Sequence, residues 1–94
     1  MHVTVVLTGM ARDLVRQKEI PMNVDEQFTY GQIVRLLANR FPRLVGMVID
    51  QDGETLMSGN ILIINGDLAT PAMVMRECPK NGDRLILMSL VTGG

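Results

Sequence analysis

The sequence predicts an α+β domain in which a mixed sheet of four to five strands packs on one main helix, and three stretches carry that reading. Val3, Val5 and Leu7 alternate with His2, Thr4, Val6 and Thr8, a β-branched strand of period two closed by Gly9. Phe28-Thr29-Tyr30-Gly31-Gln32-Ile33 opens a helix: Thr29 is the N-cap, Gln32 completes a capping box three residues on, and Phe28 is placed to staple against Ile33. From Leu85 to Val91 only Ser89 is polar, so the last strand is expected to be central and apolar on both faces.

At 94 residues the chain makes one domain, 1–94, with room for a single modest core. With two Phe, one Tyr and no Trp, that core must come from Val, Ile, Leu and Met, and eight methionines supply flexible, polarizable filling. Nine basic residues against ten acidic ones give a formal net charge of −1, with no run of like charge and no basic patch studded with aromatics. Nucleic acid is therefore a poor partner for it. Cys78 has no second cysteine to pair with, the N-terminus enters a strand at once, and no apolar run approaches a transmembrane length. A cytoplasmic protein without a membrane partner is expected.

The remaining elements follow in order. Met10 to Lys18, with Arg12, Asp13, Arg16, Gln17 and Lys18, reads as a polar connection into a second alternation at Ile20, Met22 and Val24, so that the two strands form a long-looped hairpin. Pro21 cannot donate to a ladder and confines this second strand to an edge or a bulge. In the helix, Ile33, Leu36, Leu37 and Phe41 recur on one face, Arg35, Asn39 and Arg40 on the other, and Pro42 ends it. Leu44 to Ile49 and Thr55-Leu56-Met57 are read as a short hairpin about the Asp52-Gly53 turn. Ile61 to Ile64 is an inner strand closed by Asn65-Gly66. Asp67 to Asn81, interrupted by Pro71 and Pro79, is expected to be mostly irregular before Gly82-Asp83 turns into the last strand.

Chemistry of its own is hard to place on this chain. His2 is the single histidine and has no Cys, Asp or Glu at ligand spacing, so it is read as an exposed strand-end residue, and no metal site is expected. Cys78 has no histidine nearby in sequence and is read as an inert small hydrophobe. Nucleotide-binding glycine patterns, a Ser-His-Asp set and paired carboxylates are all lacking. What stands out is the end, where a core strand gives way to Thr92-Gly93-Gly94. Residues 92–94 are expected to form a mobile tail. Its free α-carboxylate, a group that ordinarily titrates at roughly pH 3.3–3.7, is ionised at neutral pH and can attack phosphorus. Part of the sheet face near Met88 and Leu90 is expected to stay open as a docking patch.

Placing the first and last strands side by side and parallel makes the helix a right-handed crossover, with the Pro21 strand at an edge. That is the β-grasp, or ubiquitin-like, arrangement. Ile61-Leu62-Ile63-Ile64-Asn65-Gly66, Gly82-Asp83-Arg84-Leu85-Ile86-Leu87 and Val91-Thr92-Gly93-Gly94 together resemble the signature of the MoaD/ThiS sulfur-carrier family. The resemblance spans the whole chain in element order, and the extra Leu44 to Met57 segment makes it nearest to the small subunit of molybdopterin synthase. It implies that Gly94 is the reacting residue, adenylated and then converted to a thiocarboxylate, with Gly93, Thr92, Val91, Leu90 and Met88 meeting the partner. The implied partners are a ubiquitin-activator-like adenylating enzyme that uses ATP, a persulfide sulfur donor, and the molybdopterin synthase large subunit or another acceptor. No cofactor is expected on the chain itself. Glycine at positions 93 and 94 suits an acyl end that must thread a narrow channel. Other readings remain beside this one: a carrier for the thiazole of thiamine or another sulfur-containing metabolite, a modifier that acylates lysines through Gly94, and a plain β-grasp interaction module.

Overall fold

The computed structural model describes residues 1–70 and 74–89. Five strands form one sheet in the order β2-β1-β5-β3-β4, comprising β1 (His2–Leu7), β2 (Glu19–Asn23), β3 (Asn60–Ile64), β4 (Asp67–Ala69) and β5 (Arg84–Ser89). Two helices, α1 (Gly9–Val15) and α2 (Tyr30–Arg40), and a 3-10 turn over Pro42–Leu44 complete it. β1 and β5 lie side by side and parallel, with Val5 opposite Leu85 and Leu7 opposite Leu87, and every other pairing is antiparallel. This is the ubiquitin-like β-grasp expected from the sequence.

Period-two alternation sends Val3, Val5 and Leu7 of β1, Ile20 and Met22 of β2, Leu62 of β3 and Leu85 and Leu87 of β5 to one face, where all are buried. They join Ile33, Val34 and Leu37 of α2 in one cluster. Because that cluster contains no Phe or Trp, its cohesion rests on interdigitated aliphatic chains, and removing one of them, such as Leu37, costs about 2–5 kcal/mol. The capping box forms as the sequence requires: the Gln32 N–H donates to Thr29 Oγ1 at 3.1 Å, and the Thr29 N–H to Gln32 Oε1 at 2.8 Å. α2 stops at Arg40, and Pro42, whose missing N–H costs nothing at a helix start, opens the 3-10 turn. Pro21 sits in edge strand β2.

Four expectations need correction. The connection from Met10 to Lys18 contains a helix, α1, which buries Ala11 and packs Met10, Leu14 and Val15 on the core. Its apolar pairs, 10/11 and 14/15, are four residues apart on one face; the charges of Arg12 and Asp13 between them mask that period. Leu44 to Met57 is not a hairpin of two strands: the Ile49 and Val48 N–H groups both turn back to the Leu44 carbonyl, and single bridges join Val45 to Ile49 and Ile49 to Leu56. The Asp52-Gly53 turn inside it is real, with Asp52 Oδ1 accepting from the Glu54 and Thr55 N–H groups and Oδ2 from the Thr55 hydroxyl. Those bonds hold the Asp52 carboxyl below its ordinary range. Asp67 to Ala69, expected to be irregular, is β4, returned from β3 by Asn65 and Gly66 at φ of 51° and 87°. Finally, β5 is central but not buried on both sides, since Ile86 and Met88 are only half-buried.

Candidate functional site

Of the residues expected to meet a partner or react, Leu90, Val91, Thr92, Gly93 and Gly94 lie outside the described residues, as does the 92–94 tail. Met88 is described, on the sheet face away from α2, and the strand that leads to the tail can be followed to Ser89.

β5 is held differently at its two ends. Near its start, Asp83 is buried, 6% exposed, and takes three hydrogen bonds: the Tyr30 hydroxyl donates to Oδ2 at 2.9 Å, the Lys80 N–H to Oδ2 at 2.8 Å and the Asn65 amide to Oδ1 at 2.8 Å. Asn65 in turn accepts from the Arg84 N–H at 2.8 Å, and its own N–H donates to the Arg84 carbonyl at 2.9 Å. Burial pushes the Asp83 pKa up, but the donors from Lys80, Asn65 and Tyr30 outweigh it, so the carboxyl sits below its ordinary range. Tyr30 moves the other way: burial first, then its bond to the Asp83 carboxylate, raises its pKa. At the far end the grip is looser. β1 stops at Leu7 opposite Leu87, whose carbonyl accepts from both the N–H and hydroxyl of Thr8, at 3.1 and 3.0 Å. Among the described residues, Met88 and Ser89 are paired only with Ile61 and Asn60 of β3.

The face away from α2 carries an apolar strip across three strands and onto a fourth. Register places Val6, itself buried, beside Ile86, Ile86 beside Ile63, Met88 beside Ile61, and Ile63 beside Leu68, which is 72% exposed. An exposed ion pair, Arg84 to Glu19 at 2.6 Å, frames the strip by reaching over β1 from β5 to β2. Exposed pairs of this kind add at most about 1 kcal/mol to stability, so its effect is to mark an edge of the strip. Sequence reading found Met88 and missed Val6, Ile61, Ile63, Leu68 and Ile86. The signal was present in the unbroken runs of β3 and β5, which put apolar residues on both faces of strands with a layer on only one.

Cys78, read as an inert small hydrophobe, is exposed, with Sγ donating to the Gln27 carbonyl at 3.5 Å. His2 is exposed as expected, Nδ1 lying 3.2 Å from Asn23 Oδ1. Among the described residues no three His, Cys, Asp or Glu side chains gather as metal ligands, and no helix is long and apolar enough to cross a membrane.

No family model matches the chain, and no curated protein does. Solved structures do. The small archaeal modifier protein SAMP1 from Haloferax volcanii is 26% identical, with 100% of each chain covered and a TM-score of 0.82. Urm1 from Trypanosoma brucei is 25% identical, with 99% of this chain and 95% of that one covered and a TM-score of 0.76. A putative molybdopterin converting factor, subunit 1, from Pyrococcus furiosus is 18% identical over 96% of this chain and 98% of its own, at a TM-score of 0.70, a likeness of fold. The resemblance to ubiquitin-like carriers and modifiers drawn from the sequence is thereby met by structural neighbours of the same size and topology.

Proposed function

We propose that this chain is a ubiquitin-like sulfur carrier whose acyl end, Gly94, is activated and loaded by other proteins. Support comes from the way β5 is built: a strand locked at Asp83, packed through Leu85 and Leu87, and paired on one side only at Ser89, five residues before Gly94. A domain of this kind presents its end to an enzyme while keeping its core intact.

The chemistry proceeds in balanced steps. The Gly94 carboxylate attacks the α-phosphorus of ATP bound to the adenylating enzyme, giving an acyl-adenylate and pyrophosphate. A donor persulfide then attacks the acyl carbon and expels AMP, leaving an acyl disulfide. A thiol reductant cleaves that S–S bond, freeing the thiocarboxylate and a disulfide. The outer strip around Met88 and Ile86 is the surface that holds the activator. The sulfur then goes to a biosynthetic acceptor, most simply a pterin precursor held by a molybdopterin synthase large subunit. Chemistry of this sort needs thiols in their reduced state, in keeping with a cytoplasmic setting and an unpaired Cys78.

A second reading, protein modification through the same acyl-adenylate, is favoured by one observation: the neighbours of higher identity, at 25–26%, are a modifier protein and Urm1, whereas the molybdopterin factor stands at 18%. Intact-mass spectrometry tests both. With the adenylating enzyme, ATP, a persulfide donor and a thiol, the chain should gain the mass difference between oxygen and sulfur at its C-terminus, and deleting Gly94 should abolish the gain. A chain that stays unmodified overturns the carrier reading. Lysine adducts on other proteins without any thiocarboxylate intermediate would replace it with the modifier.

A further inference from the structure

The end of the sheet at which β1 and β5 finish is cationic. α1 follows directly from β1 and packs on β5 and on the 3-10 turn, and α2 ends against the same turn, so these elements meet at one pole. Arg12 lies on α1 and Arg16 caps it. Lys18 is tied to β1 by its carbonyl, which accepts from the Leu7 N–H at 2.8 Å. Arg40 is the last residue of α2, and Arg43 lies in the turn. All five side chains are exposed, and none is in an ion pair among the described residues, where the pairs are Arg35–Glu54 and Arg84–Glu19. Nearby acids are few: Asp13 on α1, and Glu19, already engaged by Arg84. A chain of net charge −1 thus gathers five of its nine cations at one pole.

That pole is also where β5 delivers the chain end. Five residues beyond Ser89 can reach at most about 18 Å. The cations thus lie at the pole where β5 ends at Ser89. Between them lies a groove of about 240 Å³ lined by Leu14, Val15, Arg40, Phe41, Pro42 and Arg43, with the Arg40 guanidinium 5.6 Å from the centre of the Phe41 ring.

We infer that this pole docks on a carboxylate-rich protein surface around the opening through which the adenylating enzyme takes in the tail. The inference rests on the carrier reading and names the recognition chemistry that reading lacks. Charge complementarity identifies the occupant: exposed, unpaired guanidinium groups favour carboxylates, and the apolar floor of Leu14, Val15 and Phe41 suits side chains of a protein rather than a phosphate backbone. It also gives a division of labour, in which the cations orient the encounter and the strip around Ile86 supplies the desolvated contact.

The test uses a ubiquitin-activator-like adenylating enzyme with the parent chain, and follows ATP–pyrophosphate exchange as carrier concentration varies, at low and high salt. Arg40→Glu with Arg43→Glu, and separately Arg12→Glu with Arg16→Glu, should raise KM about tenfold or more and leave kcat nearly unchanged, and the parent's KM should rise with salt. Arg76→Glu, on an exposed residue beside the start of α2, should leave both constants as they are. Melts of each variant should match the parent, since only exposed side chains change. An unchanged KM in both double variants, or a parent KM insensitive to salt, overturns the inference while leaving the carrier reading in place, because exchange still occurs. Unchanged KM together with lost affinity for a single-stranded oligonucleotide overturns it in favour of a nucleic-acid surface. Absence of exchange in the parent removes the carrier reading, and this inference with it.

Discussion

The side-chain amide of Asn65 donates to the buried carboxylate of Asp83 at 2.8 Å, fastening the turn after β3 to the residue just before β5. The Asn-Gly and Gly-Asp pairs that stand out in the sequence are thus two halves of one lock. Each partner is needed by the other: removing the amide leaves a buried carboxylate short of a donor. Asn65→Ala should therefore destabilise the fold by roughly 1–3 kcal/mol. Asp83→Asn should do at least as much, since an amide nitrogen would then face the Lys80 N–H or the Asn65 amide. Urea titrations of both variants at neutral pH check the magnitudes.

The same lock sets the pH limits of stability. Asp83 has a folded pKa below its unfolded value, so its contribution is present above the ordinary aspartate range, near pH 4, and is lost as the pH falls through the folded value. Tyr30 has a raised folded pKa, so its contribution is present below about pH 10 and is lost as the pH climbs towards the folded value. Stability against pH should fall on both flanks. Asp83→Asn should flatten the acid flank, and Tyr30→Phe the alkaline one, as followed by denaturant midpoints across the range.

Thr29→Ala removes the acceptor for the Gln32 N–H and half of the capping box. A cost of about 0.5–2 kcal/mol with the fold unchanged is expected in a thermal or urea melt. A variant that melts with the parent would mean that Gln32 alone holds the helix start.

Gly31 lies in the first turn of α2, where alanine ordinarily favours the helix by about 1 kcal/mol. Here a Cβ would stand 3.0 Å from the Met75 carbonyl oxygen, which accepts from the Gly31 N–H at 2.9 Å. Gly31→Ala should therefore lower the melting temperature rather than raise it, because relieving the contact lengthens that hydrogen bond.

Neighbouring residues of β5 should behave oppositely. Leu87→Asp buries a charge in the core and should prevent folding. Met88→Asp, on the outer strip, should melt cooperatively and weaken binding of the activating partner by at least about 1 kcal/mol, as read by calorimetry. Unaltered affinity in Met88→Asp would remove the strip from the docking surface.

Local signals were legible wherever a residue's chemistry allowed one arrangement. The capping box at Thr29 and Gln32, the edge position of Pro21, the Asn65-Gly66 turn and the alternation of β1 could all be read because each depends on neighbours within a few residues. α1 escaped because seven residues hold too few periods to stand out against Arg12 and Asp13. β4 escaped because three residues gain their strand character from pairing with Leu62, Ile63 and Ile64 rather than from their own propensity. The candidate site was half legible for a related reason. The final glycines and Met88 are visible in one dimension, but the strip through Val6, Ile86 and Ile63 and the clustering of Arg12, Arg16, Lys18, Arg40 and Arg43 exist only once the sheet has assembled. The role of Asp83 was visible as a motif and not as a cause, since nothing in the sequence ties Tyr30 to a carboxylate 53 positions away.

β5 is flanked by β1 and β3 from Leu85 to Leu87, with the Asp83 lock just before its start. An enzyme drawing on the C-terminal end would pull along the strand axis, so the load falls in shear on the ladders to β1 and β3 together rather than opening them one bond at a time. Among the described residues, Met88 and Ser89, beyond the last β1 pair, are held on one side alone and can peel away singly. A domain built this way should resist a pull along its last strand more than one across it, because the ladders and the core would take up the load together.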